Sequence, residues 1–173
     1  MAIDALNNNQ YEIEERTVLK MTSPSNIFKG KNFALNDFTI HKRDNSSLTA
    51  VTTYLNGEFF NTYWGDGVIV STPTGSTAYS LSCGGPIVFP EGKILLITPV
   101  APHNLNVRPV IVPDNSEISF EIEGREENFL VSLDSRYEII DKTVKIKIQK
   151  ADFVMKTIRF TGQNFSQIIR EKL

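Results

Sequence analysis

Trp64-Gly65-Asp66-Gly67-Val68-Ile69-Val70-Ser71-Thr72-Pro73-Thr74-Gly75-Ser76-Thr77-Ala78-Tyr79-Ser80-Leu81-Ser82-Cys83-Gly84-Gly85-Pro86 is the stretch on which the reading of this sequence turns. Val68 to Val70 are apolar and β-branched, the composition of a short strand. They empty into residues dominated by hydroxyls and glycine, and then into a short helix starting near Gly75 and closed by Gly84, Gly85 and Pro86. That order gathers free backbone N–H groups, hydroxyls and a helix N-terminus at one spot, which suits an anionic, hydroxyl-rich ligand. Taken alone, small residues here would equally serve turn geometry and capping.

Outward from this stretch, most of the chain reads as short strands punctuated by turns. Tyr11 to Lys20, Phe33 to Ile40 and Leu48 to Leu55 are strand candidates on the N-terminal side. Asn56-Gly57 before Glu58 to Tyr63 is a hairpin signal, because a type I′ turn needs positive φ at both central positions. On the C-terminal side, Lys93 to Thr98 and Val110 to Val112 are compact apolar strands. Ile118, Phe120 and Ile122 alternate with polar residues, and Val144, Ile146 and Ile148 alternate with lysines. Period two with one polar face predicts antiparallel sheet, and many such strands with little helix predict a mainly β, sandwich-like fold. Helix is expected at the ends. Met1 to Asn9 reads as the end of one, and Asn164 caps another running to Lys172, with Phe165, Ile168, Ile169 and Leu173 along one stripe.

A chain of 173 residues suits one domain with a real hydrophobic core. A net charge of −2 and a pI near 5.7 argue against a general nucleic-acid or membrane-surface binder, whose footprint is basic. Cys83 has no cysteine partner for an internal disulfide, which fits a reducing cytoplasm and a packing role for the thiol. No signal-like N-terminus and no apolar run near the ~18 residues of a membrane span is visible. Two distant histidines and one cysteine lack the spacing of a structural zinc site, so no metal ligand is expected here.

The string from Gly65 to Tyr79 resembles the signature of the NAD kinase family, in which an Asp-Gly pair, a strand and Thr-Gly-Ser-Thr-Ala-Tyr open the dinucleotide site. The resemblance covers essentially the whole sequence but only the C-terminal, β-rich lobe of the family's length. It implies an antiparallel, sandwich-like lobe with a short helix after the Thr-Gly-Ser-Thr-Ala-Tyr motif. Residues 1–163 would form the NAD-binding lobe, and the helix over 164–173 would pack on a first lobe. In the family that first lobe carries the catalytic Asp of a Gly-Gly-Asp-Gly motif, a string that this sequence lacks. No catalytic residue is therefore expected in this chain.

The resemblance also implies the binding residues. Asn36-Asp37, after Phe33-Ala34-Leu35, matches the family's Ala-Leu-Asn-acid motif that contacts the dinucleotide's sugars; the family commonly has Glu at the second position. An amide and a carboxylate together suit a ribose diol. Asp66 matches an Asp lining the nicotinamide side. Thr74, Ser76 and Thr77 offer hydroxyls, Thr77, Ala78 and Tyr79 match positions around the adenine, and Ser82 lies one helical step beyond Tyr79 on the same face; Thr74, Thr77, Ala78, Tyr79 and Ser82 are taken as binding residues. Ala101-Pro102-His103-Asn104-Leu105, with Arg108-Pro109 following, resembles the family's Pro-His-Ser-Leu and Arg-Pro segment; Ala101 is taken as a binding residue and His103 reads as structural. Leu133-Asp134-Ser135 resembles a late family segment at the far edge of the pocket.

The implied activity is transfer of the ATP γ-phosphoryl group to the 2′-hydroxyl of the adenosine ribose of NAD, giving NADP. Its cofactors would be ATP, or polyphosphate as donor, and magnesium or another divalent metal, acting through the missing lobe, with NAD as substrate. The protein would be a cytoplasmic homo-oligomer, a dimer or tetramer. A stand-alone nucleotide-binding module without catalysis is the alternative. A lipid kinase of related two-lobe fold is a third reading, against which the Thr-Gly-Ser-Thr-Ala-Tyr run speaks.

Overall fold

The computed structural model describes residues 2–43, 49–125 and 127–172, so Met1, Leu48 and Leu173 of the expected segments lie outside the described residues. After α1 (Ala2–Asn7), the chain forms β1 (Tyr11–Arg16), β2 (Leu19–Ser23), β3 (Phe33–Ala34), β4 (Asp37–Lys42), β5 (Thr49–Leu55), β6 (Glu58–Gly65) and β7 (Gly67–Ser71). A 3₁₀ turn over Thr74–Thr77 and the one-turn helix α2 (Tyr79–Ser82) follow. Then come β8 (Ile94–Val100), β9 (Val110–Pro113), β10 (Ile118–Gly124), β11 (Asn128–Leu133), β12 (Arg136–Asp141), β13 (Ile146–Lys150), β14 (Met155–Phe160) and α3 (Phe165–Lys172).

Two six-stranded antiparallel sheets carry the fold, in the orders β3-β2-β13-β10-β5-β6 and β12-β11-β4-β7-β8-β9. A separate antiparallel pair joins β1 to β14. Alternation in β10 buries Ile118, Phe120 and Ile122, and alternation in β11 buries Phe129, Val131 and Leu133. These faces meet across the sandwich, where the rings of Phe38 and Phe120 stack at 5.9 Å. The sandwich predicted from period two is the observed architecture.

β7 is buried at every position, unlike its alternating neighbours. Its inner face joins the core through Val68 and Val70. Over its outer face lie the 3₁₀ turn and α2, anchored where the Ser80 hydroxyl meets that of Thr98 on β8 at 2.9 Å. Cover on both sides explains why Val68-Ile69-Val70 is continuously apolar.

The local signals hold in detail. Asn56 and Gly57 take φ of 52° and 84°, as the hairpin requires. The Asn164 side chain accepts from Gln167 N at 2.9 Å while the Gln167 side chain reaches back to Asn164 N, a reciprocal cap at the start of α3.

Three expectations are corrected. Tyr11 to Lys20 is two strands in different sheets, because the chain changes layer at Thr17-Val18, where Val18 O accepts from Ala151 N at 2.8 Å. Phe33 to Ile40 breaks at Leu35-Asn36, whose N–H groups are taken by a side chain instead of a neighbouring strand. The helix after Gly75 is two pieces separated by Ala78, whose φ of −101° and ψ of −133° are not helical.

Candidate functional site

The break between β3 and β4 and the turn after β7 are locked together. Thr72 donates its N–H to Asn36 O at 2.9 Å and its hydroxyl to Leu35 O at 2.6 Å. The same hydroxyl accepts from Gly75 N at 3.0 Å. Gly75 packs directly on the Asn36 backbone: a methyl group there would overlap the Asn36 carbonyl and stand 2.8 Å from its Cα. Ser76 closes the other side, its hydroxyl accepting from Val88 N at 3.0 Å. Glycine at 75 and hydroxyls at 72 and 76 thus serve construction, as small residues at turns commonly do.

Beside this junction lies an open cleft of about 550 Å³ on the outer face of the second sheet. Its floor is β4 and β11. Asp37, Thr39 and His41 share one face of β4, and the strand register sets Ser132 opposite Thr39 and Leu130 opposite His41. Asn36, Asp134 and Ser135 stand together at the end where β4 begins and β11 ends, and Ala78 and Tyr79 complete the lining as a wall.

Asp37 is only 7% exposed, and its carboxyl titrates at about 6. Burial is the main cause, the Asp134 charge adds to it, and the Thr39 hydroxyl offsets part. Tyr79 is 40% exposed, so its ring offers a face to the cleft. Its hydroxyl is pushed above the usual range by burial first, then by Cys83, Asp66 and Asp37. Burial likewise raises the Cys83 thiol, which hydrogen-bonds Tyr79. The thiol is half-buried against the wall rather than activated.

Of the expected site residues, the cleft gathers Asn36, Asp37, Ala78 and Tyr79. Asp66 lies near enough for its charge to act on Tyr79, and it pairs with Lys42 Nζ at 2.6 Å. Its flanking glycines are required by close approach: a methyl on Gly65 would stand 2.8 Å from Val100 O, and one on Gly67 3.1 Å from His41 Cα. Ala101, with φ of 44°, follows at this same corner, next to Gly65. Thr74, Thr77, Ser82 and Ala101 are not part of the cleft lining. Thr77 donates within its own turn to Thr74 O at 3.4 Å, and Ser82 is exposed at the end of α2. His103 is exposed, its N–H tied to Trp64 O at 2.8 Å.

Sequence reasoning missed Thr39, His41, Leu130 and Ser132. Counting by two from Asp37 along β4 points to Thr39 and His41, whereas the β11 residues follow only from the strand register. Among the described residues, no group of three or more His, Cys, Asp or Glu could hold a metal ion. Among the same residues, no helix is long and apolar enough to cross a membrane.

Residues 35–160 match the family model described as the ATP-NAD kinase C-terminal domain. The NAD kinase of Cytophaga hutchinsonii is 52% identical over 172 residues, covering 99% of this chain and 59% of that protein. That of Flavobacterium johnsoniae is 49% identical over 168 residues, covering 96% and 57%. Among solved structures, yeast NADH kinase complexed with NADH superposes with a TM-score of 0.84 at 28% identity, over 98% of this chain and 51% of that one. The chain thus spans somewhat over half the length of the curated relatives that it matches.

Proposed function

This chain belongs to the family of ATP-NAD kinase C-terminal domains, and on that premise we propose that its cleft holds the adenosine half of NAD while the ribose 2′-hydroxyl is phosphorylated to give NADP. The observation that carries this reading is the convergence of two motifs far apart in sequence, Asn36-Asp37 and Ala78-Tyr79, on one cleft. An amide and a carboxyl there can bind a ribose diol, and the exposed face of Tyr79 can stack on a base. Asp66, Thr74, Thr77, Ser82 and Ala101, which lie outside the cleft lining, complete the proposed binding set.

In the reaction, the 2′-oxygen forms a bond to the γ-phosphorus of ATP, the bond to the β-phosphate oxygen breaks, and a carboxylate takes the hydroxyl proton. Such chemistry is chiefly positioning and charge neutralisation. This chain supplies the positioning of the acceptor. The carboxylates at and beside the cleft do not fit a magnesium site: Asp134 is engaged by backbone N–H groups and Asp66 by Lys42, which leaves Asp37 alone there. We assign the proton acceptor and the ATP or polyphosphate and magnesium environment to a second lobe.

In this reading, residues 1–163 are the dinucleotide-binding lobe and the helix over 164–173 docks on that second lobe. The protein works in the cytoplasm as a homo-oligomer. The test is calorimetric titration of the chain with NAD, together with sequencing of the reading frame upstream of Met1. Saturable binding and a continuous upstream frame coding for Gly-Gly-Asp-Gly support the kinase reading. Binding with a stop codon directly upstream favours the stand-alone module.

A further inference from the structure

Asn36 and Asp37 are consecutive, yet both line the same cleft. In an unbroken strand they would face opposite sides of the sheet, so the backbone must bend between β3 and β4. The turn between β11 and β12 supplies the cause. Asp134 takes φ of 53°, a conformation that Asp and Asn tolerate better than most residues. Its carboxylate accepts from Leu35 N at 2.9 Å through Oδ2, and from Asn36 N at 2.7 Å and Asp37 N at 3.3 Å through Oδ1. Its own N–H donates to Asp37 O at 3.0 Å.

Three successive N–H groups thus converge on one carboxylate. A bend leaves donors that a sheet ladder would have paired, and buried donors need acceptors. Bonds to a charged acceptor are stronger than neutral ones, which makes an Asp in this place a firm anchor.

We propose that Asp134 is the positioning residue of the cleft, its carboxylate holding Leu35 to Asp37 in the bend that presents both Asn36 and Asp37 to the bound nucleotide. Asp134 acts through its neighbours. Its charge also raises the Asp37 carboxyl, around which His41 and Tyr79 are the other titratable groups lining the cleft, so the two acids are coupled in charge as well as geometry. The proposal rests on the cleft being a nucleotide site, and its test separates the two.

Asp134→Gly keeps the turn, since glycine adopts positive φ freely, and removes the carboxylate. Asp134→Asn keeps the turn and one acceptor oxygen. Without ligand, we expect amide exchange at residues 35–37 to accelerate about tenfold or more in Asp134→Gly, and the Asp37 carboxyl to titrate lower, as followed by NMR. With NAD, calorimetry should show affinity reduced about tenfold or more, with Asp134→Asn between the two. Circular dichroism identifies folded variants, and if Asp134→Gly does not fold, Asp134→Asn carries the same readouts. A folded variant with native amides and native Asp37 titration overturns the proposal. So does one in which these change while NAD affinity stays native. If the unaltered chain fails to bind NAD, the nucleotide reading falls, while the ligand-free measurements still decide whether Asp134 sets the bend.

Discussion

Gly75 rests on the backbone of Asn36 so closely that any side chain at 75 would collide with the Asn36 carbonyl. The contact joins the hydroxyl-rich turn to the Asn-Asp bend, and the cleft wall to its end. Gly75→Ala must push one of them away, and overpacking of this kind costs about 1–3 kcal/mol. Urea denaturation should show the loss, and NAD affinity should fall with it because Ala78 and Tyr79 follow on the same turn. An unchanged unfolding midpoint would show that the turn yields freely.

The Asp37 carboxyl binds its proton more tightly in the folded chain, at about 6, than in the unfolded chain, where aspartate titrates at ~3.9. Its contribution therefore favours folding fully below pH ~4 and is lost as pH rises through about 6. Ionised Asp37 is a burden at neutral pH. Asp37→Asn should stabilise the chain at pH 7 by on the order of 1–2 kcal/mol, allowing for screening at the open cleft, and the advantage should vanish below pH ~4. Denaturation of both chains between pH 4 and 7 measures it; a constant difference across that range would place the titration elsewhere.

Tyr79→Ala removes the cleft's aromatic wall and should weaken NAD binding by about 1 kcal/mol, about fivefold, without unfolding the sheet. Asp66→Asn should cost a similar amount in binding and also lower stability, since Lys42 is mostly buried and loses its partner. Calorimetric titration beside thermal melts separates the two effects. Native affinity in both variants would return these residues to a purely architectural role.

Subunit association is expected through exposed strand edges and apolar residues such as Phe59, Trp64 and Ile111 on β6 and β9. Sedimentation at micromolar concentration should report a dimer or tetramer, and a monomeric mass would rule this out.

Assayed alone with NAD, ATP and magnesium, the chain should make no detectable NADP. No residue in it matches the family's proton-accepting Asp, and losing a positioned base typically removes a factor of about 100 to 10,000. Turnover by the purified chain that Asp66→Asn abolishes would show instead that this lobe carries its own base.

Much of this was legible along the chain because the deciding interactions are local. Alternation in Ile118-Ser119-Phe120-Glu121-Ile122 reports one buried face whatever lies opposite. Asn56-Gly57 forces its own turn, Asn164 caps its own helix, and the family motif stands as an unbroken string from Gly65 to Tyr79. What only the tertiary structure decided depends on partners distant in sequence. Phe33 to Ile40 has a strand's composition throughout, and it breaks because a carboxylate 98 residues beyond Asn36 takes its N–H. Thr39 and Ser132 share the cleft floor because β4 and β11 pair in one register out of several that their composition allows. Gly75 is needed for the backbone it touches, not for its own φ. Local propensity sets which segments extend and which turn; side chains and registers that meet only after folding select where a strand must bend, and here that bend makes the site.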